Sequence, residues 1–393
     1  MRIPIIDLKA QYNSMAQQLS SVILEVMESA NYIMGKNVTE FENGFSKYLG
    51  AKHSIAVGNG TDALVIALKA LGVGPGDEVI TSPFTFFATA ESISAVGAKP
   101  VFTDVEPDTF NMDAAGIEEK ITTKTKVILP VHIFGQPADM DEIIGLAKKY
   151  NLYVIEDACQ AIGAEYKGRK VGAIGDAACF SFFPTKNLSC AGDGGMITAG
   201  NEKICTIGKA LRNHGSGDNG EKAYNFLNHI DEKVENNDGD GVFNPSKYYN
   251  YLIGHNSRLD EIQAAILKVK LQYIDNWNNL RRDNAKFYNE NIQNNRIVKP
   301  LEKKDRKHVY HMYVIQAEHR SDLVDYLKRK EIAVGVYYPV PLHLQKAYTH
   351  LNYKVGDLPN AEYLSERTLA IPVYPEMTKE QRDYVVECLN NYK

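Results

Sequence analysis

Up to about residue 200 the chain repeats one unit: a short apolar run, a polar or glycine-rich turn, then a segment with apolar residues at helical spacing. Helical spacing appears first at Met15–Ala30 and Val38–Leu49. Ser54–Val57 then reads as a strand, GNGT as a tight turn and Asp62–Leu71 as an apolar-faced helix. Val79–Thr81 leads through SPFTFFAT into another helix, and Val101–Phe102, Val127–Val131, Leu152–Ile155 and Ala177–Phe183 supply further strands. This rhythm predicts a three-layer α/β fold around a mostly parallel sheet. Ligands on such sheets bind beyond the carboxyl ends of the strands. The turn at 58–60, Phe86, His132, Asp157 and Lys186 all fall at such ends, so the sequence predicts that they converge.

With 393 residues the chain exceeds one simple core. The rhythm breaks after Leu211, and 216–247 is rich in Asn, Asp and Gly, which predicts a long loop or surface insertion. One long amphipathic helix is expected from Leu259, with Asp260 and Glu261 in its first turn. Beyond it strand-like runs (His311–Gln316, Ile332–Tyr338) alternate with helical ones (Ser321–Lys330, Ala361–Thr368, Thr378–Leu389). A large cofactor-binding domain over 1–255 and a smaller α+β domain over 256–393 follow. A net charge of −5 supplies no basic field for nucleic acid or an anionic membrane. No stretch is apolar enough to span a bilayer. The five cysteines suit reduced thiols better than disulfides or a metal site, so a cytoplasmic protein is expected.

The stretch 154–195 carries the chemistry. One apolar run ends on Glu156 and Asp157; another ends in Pro184, Thr185 and Lys186, with glycines at 192, 194 and 195. An acid and a lysine at neighbouring strand ends among glycines read as a cofactor site. Gly60 and Thr61 begin a helix whose free N–H groups and dipole favour a phosphate, unless Thr61 or Asp62 merely caps it. Ser181 could add a hydroxyl, and Phe86 could cover a flat ring. These are the parts needed for pyridoxal phosphate: an amine for its aldehyde, a carboxylate for its pyridine nitrogen and a cup for its phosphate. Lys186 would then serve as general base and acid.

The motifs NGTDAL (59–64), PFTFFAT (83–89), PVHIFGQPADM (130–140), VIEDACQAIGA (154–164), SFFPTKNLSCAGDGG (181–195), RNHG (212–215), GHNSRLDEIQAAIL (254–267) and YYPVPLHLQKAY (337–348) run through nearly the whole chain. With them the chain resembles the DegT-type sugar-nucleotide aminotransferases, pyridoxal-phosphate enzymes of fold type I. The resemblance implies Lys186 as the Schiff-base lysine, Asp157 on the pyridine nitrogen and Gln160 on the ring oxygen. It implies Gly60, Thr61 and Ser181 at the phosphate, with Phe86 stacked on the ring. Asn256 would reach the cofactor of the neighbouring subunit, which makes a homodimer with shared sites. Arg258, Tyr338 and His343 would lie near the substrate, although a helix-start ion pair and a packed loop histidine also account for Arg258 and His343. No metal is implied. The implied reaction moves an amino group from an amino acid, glutamate first, to a keto-sugar on a nucleoside diphosphate. Tyr337 stands where relatives acting on uronic acids often carry histidine, which favours a dTDP-3-keto-6-deoxyhexose over UDP- or GDP-linked 3-keto or 4-keto sugars. A non-catalytic regulator that binds the cofactor is the alternative from another class.

Overall fold

Short β-rich apolar runs and amphipathic segments take turns along the chain, and the computed structural model, which describes residues 1–230 and 248–393, stacks them in layers. Helices α1 (Leu8–Ser29) and α2 (Lys36–Leu49) precede β1 (His53–Val57), α3 (Gly60–Ala70), β2 (Glu78–Thr81), α4 (Ala88–Ala95), β3 (Lys99–Phe102) and β4 (Thr125–Leu129). Then come α5 (Met140–Tyr150), β5 (Tyr153–Asp157), a small ribbon of β6 (Glu165–Tyr166) and β7 (Arg169–Lys170), β8 (Ala177–Ser181) and β9 (Gly195–Ala199). The seven-stranded sheet has the order β1-β9-β8-β5-β4-β2-β3. Only β9 runs against the others, pairing antiparallel with β1 and β8. The sheet is therefore mostly parallel, as expected.

Alternation along the strands feeds two cores. Ile55, Val57, Leu129, Ile155 and Cys179 pack under α3 and the helix α6 (Glu202–Leu211). Their neighbours Ala56, Ala178 and Phe180 face α2 and the helix α8 (Glu261–Leu271). Burial of both faces explains why these strands read as unbroken apolar runs.

Four expectations change. Residues 216–247 are not all loop: α7 (Gly217–Asn228) follows Ser216, and the part from 231 to 247 lies outside the described residues. Helix α7 forms against poor propensity because Gly220 lets it sit on Gly215, whose carbonyl oxygen would lie 2.2 Å from a Cβ there. The single helix expected from Leu259 is two, α8 and α9 (Ile274–Asn291), with no glycine or proline between them to signal the break. The first helical turn after the GNGT loop is capped by neither Thr61 nor Asp62 but by Asn59, whose side chain accepts from the Asp62 N–H at 2.8 Å. Ile332–Tyr338 makes only isolated bridges, Ile332 with Ile3 and Gly335 with Ala370.

A further core is built on β10 (Ile297–Val298), β12 (Tyr313–Ala317) and β13 (Thr368–Ile371), paired antiparallel, while β11 (Arg306–Lys307) joins the β6–β7 ribbon. Helices α10 (Arg320–Arg329), α11 (Pro359–Arg367) and α12 (Lys379–Asn390) complete the elements. Tyr288, Tyr313, Leu323, Leu389 and the N-terminal Ile3 meet in this core. The chain start thus packs with its end, while Leu267 of α8 packs with the large sheet.

Candidate active site

Strand alternation separates the two adjacent carboxylates of β5. Glu156 points to one face and is buried, accepting N–H bonds from Gly172, Ile174 and Gly175 and lying 3.0 Å from His132 Nε2. Burial pushes its carboxyl up, but His132 and the glycine N–H groups outweigh this and hold it below the usual range. Since His132 Nδ1 accepts from the Ala138 N–H at 3.1 Å, its proton sits on Nε2 and is donated to Glu156. The expected convergence thus loses His132, which braces the loop 172–175 instead of facing the ligand space.

Asp157 points to the other face. Its Oδ2 accepts from Thr89 Oγ1 at 2.8 Å and its Oδ1 from the Cys159 N–H at 3.2 Å. Beside β5 in the sheet, β8 ends at Ser181, and a loop closed by Phe182 N–H to the Gly194 carbonyl carries Lys186. Among the described residues the Lys186 amine has no hydrogen-bond or ion-pair partner. Burial pulls its ammonium down, against the opposing pull of Cys159 and Asp157. A lysine held this way supplies a neutral amine more readily than a solvated one.

Gly195, which follows this loop, and Gly60, which starts α3, have steric reasons. A Cβ on Gly195 would lie 2.3 Å from the Asn59 carbonyl oxygen, and one on Gly60 would lie 2.8 Å from Ser181 Cβ. These contacts bring the N-terminus of α3 against the end of β8. With Asn59 serving the Asp62 N–H, the N–H groups of Gly60 and Thr61 keep no protein acceptor among the described residues, beside the Ser181 hydroxyl.

A cavity of about 480 Å³ joins these groups. Asp157, Lys186 and the Gly60–Thr61–Ser181 cup line it, together with Phe86, Gln160 and Tyr338. Phe86 is 61% exposed, so its ring is free to cover a ligand from the cavity mouth. Gln160 is fixed in one orientation: its Oε1 accepts from the Phe134 N–H at 2.8 Å, so its amide must donate to Tyr338 Oη at 3.0 Å. The Tyr338 hydroxyl hydrogen is then left to point elsewhere, and one amide hydrogen of Gln160 remains.

Two expected contacts, Arg258 and His343, are not brought to this cavity, and Asn256, expected at the cofactor of a neighbouring subunit, does not line it either. Asn256 is exposed and bridges Asn213, and Arg258 donates to Asn213 Oδ1 at 3.1 Å. His343 is buried at 2% exposure with Nε2 3.1 Å from Glu362 Oε1, where it is a packed loop histidine. Its motif neighbour Leu342 donates its N–H to the Pro83 carbonyl at 2.8 Å.

Among the lining residues that escaped the sequence reading are Thr89 and His311. Thr89 lies a helical turn from Thr85, a spacing visible in PFTFFAT but without meaning until α4 is placed beside β5. His311 is buried, its Nδ1 3.2 Å from Asn187 Oδ1. Asn187 gives its Nδ2 to Asn278 and the Val309 carbonyl, so His311 carries its proton on Nδ1. Burial and the Lys186 charge hold His311 far below the usual histidine range, and it stays neutral beside the lysine.

Behind the lysine loop, Lys270 is buried and donates to Gln11 Oε1 at 2.9 Å and Ser189 Oγ at 3.3 Å, with no carboxylate bonded to it among the described residues. Burial draws its ammonium down to about 8 from 10.5. Between those values the unfolded chain keeps a proton that the folded chain releases, so stability rises with pH across that window, by at most about 3 kcal/mol. Lys270→Met should lack this rise. Melting temperatures of wild type and variant from pH 7.5 to 10 check it, and parallel curves would refute it.

The sequence profile of the DegT/DnrJ/EryC1/StrS aminotransferase family matches residues 13–390. A pleiotropic regulatory protein of Geobacillus stearothermophilus is 46% identical over 390 residues, 98% of this chain and 97% of that protein. A dTDP-3-amino-3,6-dideoxy-alpha-D-galactopyranose transaminase of Aneurinibacillus thermoaerophilus is 40% identical, covering 99% of each chain. A UDP-N-acetyl-3-dehydro-alpha-D-glucosamine 3-aminotransferase of Acidithiobacillus ferrooxidans is 39% identical, covering 96% of this chain and 95% of that protein. Among solved structures, that of S. venezuelae DesV with a ketimine intermediate has a TM-score of 0.90 at 36% identity, covering 99% of this chain and 98% of that one.

Proposed function

The chain belongs to the DegT/DnrJ/EryC1/StrS aminotransferase family, and from that premise we propose that it moves an amino group from L-glutamate to a nucleoside-diphosphate keto-sugar, a dTDP-linked 3-keto-6-deoxyhexose. The observation that carries the reading is the unpartnered Lys186 amine sharing one cavity with Asp157 and the free N–H groups of Gly60 and Thr61.

This donor set fits pyridoxal phosphate. The Gly60–Ser181 approach makes a cup in which a Cβ would collide, as phosphate oxygens on backbone N–H groups require. Asp157 keeps lone pairs toward the cavity for the pyridine nitrogen, Gln160 keeps an amide hydrogen for the ring oxygen, and Phe86 is free to stack. When bound, the cofactor supplies an aldehyde for bonding amines and a ring that accepts electrons from the substrate carbon. Lys186 takes the proton from the donor carbon and returns one to the acceptor carbon, a task suited to an amine whose ammonium is destabilised by burial. The Tyr338 hydroxyl, with its oxygen occupied by Gln160, donates its hydrogen into the substrate space.

Identity alone does not choose the nucleotide, since the dTDP- and UDP-named relatives stand at 40% and 39%. Tyr337 in place of histidine supports the dTDP-deoxyhexose branch. The deciding experiment offers the amino-loaded enzyme a panel of dTDP-, UDP- and GDP-linked 3-keto and 4-keto sugars and follows return of the visible cofactor band. Turnover of a UDP- or GDP-sugar with none for the dTDP-3-keto-6-deoxyhexose overturns the substrate assignment. The regulatory name of the Geobacillus relative supplies a second reading, for which a visible band without any half-reaction with glutamate would count. Glutamate and nucleotide sugars as co-substrates suit a cytoplasmic enzyme.

Asn256 and Arg258 lie outside their own chain's cavity, and we assign them to the site of a second copy in a homodimer. Mixed dimers of Lys186→Ala and Asn256→Ala chains should then regain about a quarter of wild-type activity, by random pairing with one intact site per mixed dimer (one half mixed, one site of two). Activity no higher than that of the two parents would refute the shared site.

A further inference from the structure

Asp157 is held by a chain of hydroxyls on the cavity wall that no part of the aminotransfer reaction has so far used. Thr89 Oγ1 donates to Asp157 Oδ2 at 2.8 Å, and Thr85 Oγ1 lies 3.0 Å from Thr89 Oγ1. A threonine hydroxyl has one hydrogen. Thr89 has spent its hydrogen on the carboxylate, so it can only accept from Thr85, and the chain runs Thr85 to Thr89 to Asp157. All three residues are buried, with exposures of 1%, 1% and 5%. Thr85 lies just ahead of α4 and Thr89 in its first turn, so the two hydroxyls stack one turn apart on the side of α4 that meets the end of β5.

We infer that Thr89 is a positioning residue for the proposed reaction, fixing which lone pair of Asp157 faces the cofactor nitrogen, and that Thr85 sets the direction of the Thr89 hydroxyl. The inference rests on the pyridoxal-phosphate reading. The Cys159 N–H holds the other carboxylate oxygen at 3.2 Å, so each oxygen has one fixed donor and the remaining lone pairs open to the cavity. In a buried site a hydrogen bond to a charged group is strong, and losing its donor leaves the acceptor free to turn. Turning would move the carboxylate off the line to the nitrogen and weaken the electron sink without touching the substrate. Two threonines serving only to fill space would behave differently, because valine has nearly the same shape.

The test compares wild-type holoenzyme with Thr89→Val, Thr89→Ser and Thr85→Val. Thr89→Val should lower kcat of the glutamate half-reaction about 10- to 100-fold, the loss expected of one hydrogen bond to a charged group, with KM changed less than about threefold. It should also shift the visible cofactor band or its pH midpoint and raise the dissociation constant for pyridoxal phosphate. Thr89→Ser should restore all of these to within about threefold, and Thr85→Val should show a smaller change of the same kind. If Thr89→Val does not fold, Thr85→Val carries the test alone. Wild-type values of kcat, band and cofactor affinity in the folded valine variants overturn the relay, as does equal loss in the serine and valine variants. A wild-type protein with no lysine-dependent visible band overturns the cofactor reading first and the relay with it.

Discussion

Lys186→Ala is expected to remove the visible absorbance of protein mixed with pyridoxal phosphate and to lower aminotransfer by about 10⁴-fold or more, beyond the usual range for loss of a general base alone. Two roles fall together in this substitution: the bond to the cofactor aldehyde and the proton transfers at the substrate carbon. Lys186→Arg should fare no better, because a guanidinium stays protonated and cannot supply the neutral amine. The apo protein should not suffer. An amine held in a cavity without a protein partner, its ammonium disfavoured by burial, contributes nothing to folding that alanine would lose. The melting temperature of apo Lys186→Ala should therefore match or exceed that of the apo wild type. Absorbance spectra, single-turnover rates with glutamate and apo melting curves check the three parts. A visible band that survives the substitution would remove Lys186 from the cofactor site.

Asp157→Asn should leave the cofactor bound but slow the reaction about 10²- to 10³-fold, the scale seen when one preorganised electrostatic group is removed from a reacting site. Asparagine keeps the shape, and its single carbonyl oxygen can still accept from the Cys159 N–H while its amide N–H donates to Thr89 Oγ1, whose hydroxyl must then turn. What it lacks is the negative charge that keeps the pyridine nitrogen protonated. The loss should fall on kcat, because Asp157 acts on the ring and the substrate binds beyond it. Half-reaction kinetics with glutamate measure this, and unchanged turnover would end the role given to Asp157. Glu156→Gln is the informative contrast. Glu156 sits on the opposite face among N–H donors from Gly172, Ile174 and Gly175, so its loss should register in stability before catalysis.

That contrast also marks how far the sequence could be read. Adjacent carboxylates at a strand end must face opposite sides, yet nothing local says which side holds the ligand; α4 over one face and the loop 172–175 over the other decide it. The helix at Gly60 was legible because a glycine turn after an apolar run is a local pattern. Its cap at Asn59 is equally local, and the expectation of Thr61 or Asp62 placed the helix start two residues late. His132 and His343 stand in motifs that point toward the site, but a histidine ring goes where its partners are, and these are Glu156 and Glu362. The break between α8 and α9 leaves no mark in the periodicity, which runs through it.

By itself, the sequence determined the strand–turn–helix order, the burial of the sheet on both faces, and the acid, lysine and glycine cup at the strand ends. Each of these follows from short-range propensity and hydrophobic period. The tertiary structure alone decided that Thr89 meets Asp157 across 68 residues, that Gln160 is oriented by Phe134 and Tyr338, and that Lys186 is left without a hydrogen-bond partner among the described residues. Those are consequences of which buried polar groups find each other once the layers close, and an amine without a partner is visible only once its neighbours' pairings are known.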